Sequence, residues 1–442
     1  MSLAVPVAYN GSQNPLYPRV LKNHHDNSRY EKFAEWICSR ESLFRFGLDV
    51  SGWMLPTLIG GALRNKYSFY EALFQTGLEI CGMGFATSFT KLASKISALF
   101  HLNQEDRKNF SNFVLFGLND LESAEKMQSS ASRILTEETN DLNFLAGMSS
   151  ELSPTKAQKI NDRIDDLKKF FTNFKSNPDQ IERIKKFKRS MILMDSTFQS
   201  VLWGGYMFYN RLFRKYILGQ DRFTGTKAYV DNEESKKVGD STPLSWIQKL
   251  GIGFSMFSAP LMNFCLFKYQ DSQKTPPPKN SWLQMIKNQW DVTHGFYPKL
   301  GLLWSYCFLP VTLGSIFAAQ GKSELIENVL TQLTMGNSWF FGHRVTNGLL
   351  AKFADNKISK QHNVEPGILV DPEYLHHPFP EPAKIQHVIN RSQASPGLEK
   401  QARKSHANIL YSGFLLHSSF VLAIRLLINM FTKWRVEKSI AK

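Results

Sequence analysis

LGLLWSYCFLPVTLGSIFAAQG, residues 300–321, carries no charged side chain between Lys299 and Lys322. A helix crosses the hydrocarbon core of a bilayer with about 20 predominantly apolar residues, so this stretch alone is long enough. Trp304 and Tyr306, with Tyr297 just ahead of them, lie toward one end, where amphipathic rings suit the headgroup level. Pro310 is no objection, because membrane helices tolerate proline where neighbours re-satisfy the freed backbone.

Two further stretches read the same way. Residues 250–267, LGIGFSMFSAPLMNFCLF, are free of charge and flanked by Lys249 and Lys268, whose stems can run along the apolar surface to the interface. Residues 408–424, NILYSGFLLHSSFVLAI, precede Arg425 and a basic tail containing Lys433, Arg435 and Lys438. Four other apolar stretches hold ionisable groups: 43–63 (Arg45, Asp49), 70–90 (Glu79), 191–210 (Asp195) and 326–350 (Glu327, His343, Arg344). The fold expected is all-α, a multi-pass helical membrane bundle of about 5–7 apolar helices. The competing fold is a large soluble one with these stretches as core helices, since short apolar runs are often just core.

Composition fits a mixed chain. Of 442 residues, 43% are hydrophobic and 34 are Phe, yet the mean hydropathy is only −0.28, so apolar spans are diluted by long polar stretches. The net charge of +15 is concentrated beside apolar segments, where anionic lipid explains it better than nucleic acid does. Cys38, Cys81, Cys265 and Cys307 are far apart and give neither a disulfide framework nor a zinc spacing. The N-terminus lacks the features of a secretory signal. No internal repeat, heptad run or regular strand pattern is evident.

These features divide the chain into a polar N-terminal segment (1–42), a membrane helical hairpin (43–100), a soluble amphipathic helical region (101–189) and a membrane bundle (190–350) with polar loops at 211–249 and 268–298. A proline-rich linker (351–407) and a C-terminal membrane helix with its basic tail (408–442) complete it. In the soluble region Ser153-Pro154 and Asn177-Pro178 are helix-start pairs. Ile160, Ile164, Leu167, Phe171 and Phe174 then recur at helical spacing, a face that needs a partner. Ile181, Ile184 and Phe187 continue straight into Met191, so one helix is expected to run from water into the membrane. Arg183, Lys185, Lys186, Lys188 and Arg189 crowd that point, as lipid-headgroup contacts do on the cytoplasmic leaflet. This puts 101–189 on the cytoplasmic side.

Catalytic signals are absent. GSIFAAQGKS (314–323) ends like a phosphate loop but has six residues between its glycines where four are needed, and it follows a helix. Glu373 and His376 have the spacing of a di-iron helix, but prolines bracket them and no second pair exists. No metal or cofactor is expected. What remains is the set of ionisable residues in apolar segments, Glu79, Asp195, Asp49, Arg45, Arg344 and Arg425, candidates for an intramembrane polar site. Arg45 and Asp49 are also spaced for a local ion pair. Gly77, Cys81, Gly84 and Ser88 around Glu79 offer a small-residue surface for helix approach or homo-oligomer contact. The leading functional expectation is a non-catalytic membrane scaffold, binding anionic bilayers and a protein partner through 101–189. The alternatives are a transporter or channel-like protein using Glu79 and Asp195, or a membrane-embedded lipid-processing enzyme.

Overall fold

A computed structural model describes residues 29–38, 41–148, 154–219, 223–227, 244–272, 290–293, 297–338, 342–370 and 396–440. Among these residues the regular structure is helical apart from one two-residue antiparallel pair, β1 (Val292–Thr293) with β2 (Tyr297–Pro298). The helices are α1 (Arg29–Cys38), α2 (Glu41–Asp49), α3 (Leu55–Ala62), α4 (Lys66–His101), α5 (Gln104–Arg107), α6 (Phe110–Phe113), α7 (Ala124–Met148), α8 (Pro154–Asn173), α9 (Pro178–Gly204), α10 (Tyr206–Tyr216), α11 (Thr224–Lys227), α12 (Trp246–Ser272), α13 (Leu300–Leu303), α14 (Leu309–Ala318), α15 (Lys322–Thr331), α16 (His343–His362) and α17 (Pro396–Ile440).

Three helical stretches are long and apolar enough to cross a membrane: Trp246–Ser272, Gly301–Ala318 and Gly397–Lys438. They contain the three charge-poor runs of the sequence. Among the described residues no other helix is both long and apolar enough to qualify, so five to seven crossings go beyond what composition supports.

Proline shapes two helix starts. A proline lacks the N–H that would bond four residues back, and its ring pushes that carbonyl away. Before Pro56 and before Pro310 the ladder widens to a π turn, Val50–Met54 and Trp304–Phe308. The Leu55 amide then reaches back to the Val50 carbonyl and the Leu309 amide to that of Trp304, five residues each. A third π turn, Gln332–Gly336, joins α15 toward α16 and has no proline.

Around one axis α4 packs on α9, α9 on α14 and its π turn, α14 on α15, α16 on α17, and α17 on α3 and its π turn, while α3 returns to α4. The six-membered ring is closed, with α12 outside it against α9 and α14. The ring is apolar on the outside. Phe254, Phe257, Leu261 and Phe264 of α12 are about half exposed, and Leu73, Ile80 and Phe85 of α4 and Leu415, Phe420, Leu427 and Met430 of α17 form similar stripes. Its interior is rich in polar groups, with Thr90, Asp195, Asn210, Arg214, Glu324 and Asn347 all buried.

Residues 101–148 and 154–189 form a layer, polar on its outside, at the end of the ring where α4 finishes, and its apolar core runs on without a break into the ring through Met191, Ile192, Ala259, Leu302 and Tyr306. The apolar face that needed a partner is covered from within the chain. Leu167, Phe171 and Phe174 of α8 pack with Phe113, Phe116, Ile181 and Ile184 in one cluster, and Phe116 meets Phe171 edge-on at 5.8 Å between centroids. As expected, a single helix, α9, runs from this layer into the ring, so the boundary at 189 falls inside it. The proline-rich linker is shorter than read: α16 continues through His362 and α17 begins at Pro396. Asn363, left-handed at φ 55°, ends α16, and the Asp355 carboxylate then caps the amides of Gly367, Ile368 and Leu369 at 2.7–2.9 Å. Glu373 and His376 lie outside the described residues.

The two proline-started helices reveal a pattern that the sequence reading missed. Ser51-Gly-Trp-Met-Leu-Pro-Thr-Leu-Ile-Gly60 and Ser305-Tyr-Cys-Phe-Leu-Pro-Val-Thr-Leu-Gly314 occupy the same structural place. Each ends in a tight reversal followed by a helix that starts at a lysine, Lys66 or Lys322. Only serine, the Leu-Pro pair and one glycine are shared, which is too little to stand out by composition.

Candidate functional site

At the end of the ring away from the polar layer, Asn65 caps α4 by accepting from the Ser68 amide, and α15 starts at Gly321. These two starts aim Glu71 and Glu327 inward, each at the sixth position of its helix. Arg64, just after α3, makes a two-pronged pair with Glu327 at 2.7 and 2.6 Å. Arg425 of α17 approaches the same carboxylate at 3.6 Å, and the Thr432 hydroxyl donates to it at 2.7 Å. Arg214 of α10 bridges Glu71 at 3.0 Å and Glu324 at 2.7 Å, and the Thr224 hydroxyl donates to Glu71. The Phe223 ring lies under both Arg64 and Arg214, at 5.5 and 5.8 Å. The charges of this cluster balance, and planar guanidinium forks suit such buried, bidentate work better than lysine would.

Deeper in the ring, two buried carboxylates differ in kind. Glu79 of α4 accepts from the Tyr206 hydroxyl at 2.8 Å, with Trp53 in hydrogen-bonding reach and Asp49 nearby. Asp195 of α9 accepts from the Thr90 hydroxyl at 3.0 Å, with Gln199 and Tyr306 as further neighbours, while its second oxygen has no partner. Among the described residues neither carboxylate has a basic partner within ion-pair distance. Hydroxyl and indole donors stabilise a carboxylate without neutralising it, so each group can take up a proton or a cation without breaking an ion pair.

The expected site residues thus separate. Glu79 and Asp49 fall together with Cys307 on the ring interior. Arg425 belongs to the charge cluster, and Asp195 stands apart beside Thr90. The Arg45 and Arg344 side chains lie outside the described residues. Gly77 and Gly84 face open space rather than another helix. The basic group at 183–189 is largely spent on acidic partners: Arg183 pairs with Asp106 at 3.3 Å, Arg189 with Asp271 at 2.8 Å, Lys185 with Asp271 at 3.9 Å and Lys186 with Glu182 at 3.5 Å. Lys188 is fully buried, pairs with Asp291 at 2.7 Å and donates to the Phe116 carbonyl. In that polar layer burial pushes its ammonium below the usual lysine range, and Asp291 pulls it back up. Asp291 also accepts from the Leu118 amide at 2.6 Å, so this pair ties α9 to the loop that precedes α7.

Arg64, Glu71, Arg214, Glu324, Tyr206 and Thr90 escaped the sequence reading, and Tyr306, read as an interfacial ring, is instead buried beside Asp195. Arg214 fell in a stretch read as a polar loop, and Arg64 and Glu71 flank a helix junction, where charges are ordinarily solvated. The readable signal was the matched acidic residue six positions into each lysine-started helix.

No known family, curated protein or solved structure matches the chain.

Proposed function

We propose that the protein is a multi-pass membrane carrier for protons or monovalent cations, with the helical ring as its membrane body and Glu79 and Asp195 on the path. The observation that carries this reading is a pair of buried carboxylates that, among the described residues, are held by neutral donors, inside a ring whose outer face is apolar. Ionisable groups within membrane segments usually face partners or a wet cavity, and a carboxylate without a countercharge suits a transported or coupling cation. The π turns add to this, because they sit at the Trp53 and Tyr306 positions next to the two carboxylates and loosen the backbone there. On this reading the ring includes the charge-bearing helices α3, α4, α9 and α15–α16 as crossings, since buried polar contacts let them bury their charges. The layer at 101–189 lies on one side of the membrane.

The carrier is preferred over a scaffold because the amphipathic face of α8 is already used inside the chain, leaving that layer without an obvious docking stripe. The test is flux into proteoliposomes. With a trapped pH dye and an imposed potassium diffusion potential, wild-type protein should acidify the lumen or, with sodium or potassium dyes, load one of those ions. Glu79→Gln and Asp195→Asn should abolish the signal while remaining folded and monodisperse. Wild-type vesicles without flux of any of these ions would sink the carrier reading.

A further inference from the structure

The similarity of the two proline-started helices extends through the ring. Counted from their starting lysines, α4 and the α15–α16 run share isolated positions at one offset: Lys66 with Lys322, Glu71 with Glu327 and Thr90 with Thr346, with the small residues Ala86 and Gly342 also falling together. Both threonine hydroxyls lie against the carbonyl four residues back, Thr90 on Ala86 at 3.0 Å and Thr346 on Gly342 at 2.9 Å, a contact common to helical threonines, and Thr90 shares its one proton between Ala86 and Asp195. α9–α10 and α17 also match, with Asp195-Ser-Thr-Phe198 over His417-Ser-Ser-Phe420. Thr90 bonds Asp195, and His417 lies against Gly342, one turn from Thr346.

Packing is reciprocal. α3 of the first set lies on α17 of the second, and α14 of the second lies on α9 of the first. The matched glycines make these contacts possible. A Cβ at Gly60 would meet Arg425 Cγ at 2.5 Å, and one at Gly314 would meet the Gly204 carbonyl oxygen at 2.2 Å. Such exchange of a short helix between two similar three-helix sets is what a twofold axis between them produces.

We infer that Glu41–Tyr216 and Leu300–Ile440 are two copies of one three-helix unit, running in the same sense, and that the arginine–glutamate cluster is the closure between them at one mouth. Each copy holds its own pair between matched elements, Arg214 with Glu71 and Arg425 with Glu327. Two further pairs cross from copy to copy, Arg64 to Glu327 and Arg214 to Glu324. Glu327 and Arg214 therefore serve both kinds of bond. The crossing pairs connect the helix reversals at Leu63 and Gln320. Repeats related in this way move against each other about a site at their interface, and a discrete set of ion pairs gives such a motion two states rather than a continuum. As a closure for the carrier path, this inference rests on the carrier reading. As a mechanical joint, it does not.

The experiment places nitroxide labels at Leu63→Cys and Lys322→Cys, exposed residues at the reversals of the two copies, in full-length protein whose native cysteines are replaced by serine. Double electron–electron resonance in nanodiscs should give one narrow, short distance. Glu327→Gln or Arg64→Gln should add a longer distance, raising its population by roughly tenfold or more. Should those variants fail to fold, Thr432→Val removes only one bond to Glu327 and should give a smaller rise. Glu437→Gln, in the exposed pair with Lys433, should change nothing. An unchanged distribution in folded variants would overturn the closure, as would equal broadening in Glu437→Gln. Opening in protein that moves no proton or cation would remove the carrier reading and leave the joint. Flux without any change in distance would do the reverse.

Discussion

A single methyl group at Gly314 should damage the protein more than the same methyl almost anywhere else on the ring surface. The added Cβ would sit 2.2 Å from the Gly204 carbonyl oxygen, where real contacts do not fall below 3.0 Å, so the backbones of α14 and α9 must part by about 1 Å. No flexible side chain can yield there. That carbonyl also accepts from the Ser255 hydroxyl at 2.9 Å, so separation loosens α12 as well. Overpacking costs typically ~1–3 kcal/mol, partly offset by the gain of up to ~1 kcal/mol for alanine over glycine in a helix. Gly314→Ala should therefore be net destabilised by roughly 1–2 kcal/mol. Gly84→Ala, whose Cβ meets nothing within 4 Å, should be neutral or slightly stabilised by the propensity gain alone. Gly60→Ala should fall between them, because Arg425 is a side chain and can shift at the expense of its pairing with Glu327. Thermal unfolding of the purified variants in one detergent ranks the three. Gly314→Ala as stable as Gly84→Ala would refute the close crossing of α14 over α9.

Other outcomes follow from the same geometry. Lys188→Met strands Asp291 without its cation, and breaking a buried pair from one side costs ~3–5 kcal/mol. Limited proteolysis should then show the 101–177 layer opening first, and an unaltered cleavage pattern would count against the Lys188 tie. Phe257→Arg, on the exposed face of α12, should reduce membrane insertion by roughly 2.5–3.5 kcal/mol if that face meets lipid. A glycosylation-reporter assay reads this directly, and insertion equal to wild type would indicate a water-facing α12. Tyr206→Phe removes the hydroxyl from Glu79 with little change of volume. It should slow any cation flux while leaving the fold intact, and unaltered flux would take Glu79 off the path.

The sequence was most informative where physics acts one residue at a time. Charge-free runs, Pro154 and Pro178 at helix starts, and the Ile164–Phe174 stripe each have a local cause, and each stands in the structure as helices α12, α14, α17, α8 and α9. The site was legible only in part. Glu79 and Asp195 stood out because a carboxylate in an apolar run costs free energy wherever it points. Arg64, Glu71 and Arg214 did not, because charges at helix ends are ordinary until a distant helix covers them. The basic group at 183–189 misled for a related reason. A row of cations predicts an anionic partner, but not whether that partner is lipid or Asp106, Asp271 and Asp291 of the same chain. The internal repeat was hidden by the insertion of 104–173 into one copy and by the interruption of α15–α16 in the other.

The most direct test of two like-oriented three-helix copies is sidedness. Single cysteines at Glu105 and Lys400, near the ends of α4 and α17, and at Tyr216 and Lys322, in the opposite mouth, can be labelled with an impermeant maleimide in intact and opened vesicles. The account predicts that Glu105→Cys and Lys400→Cys label together from one side, and that Tyr216→Cys and Lys322→Cys label together from the other. Labelling of all four from one side, or of Glu105→Cys together with Lys322→Cys, would contradict it.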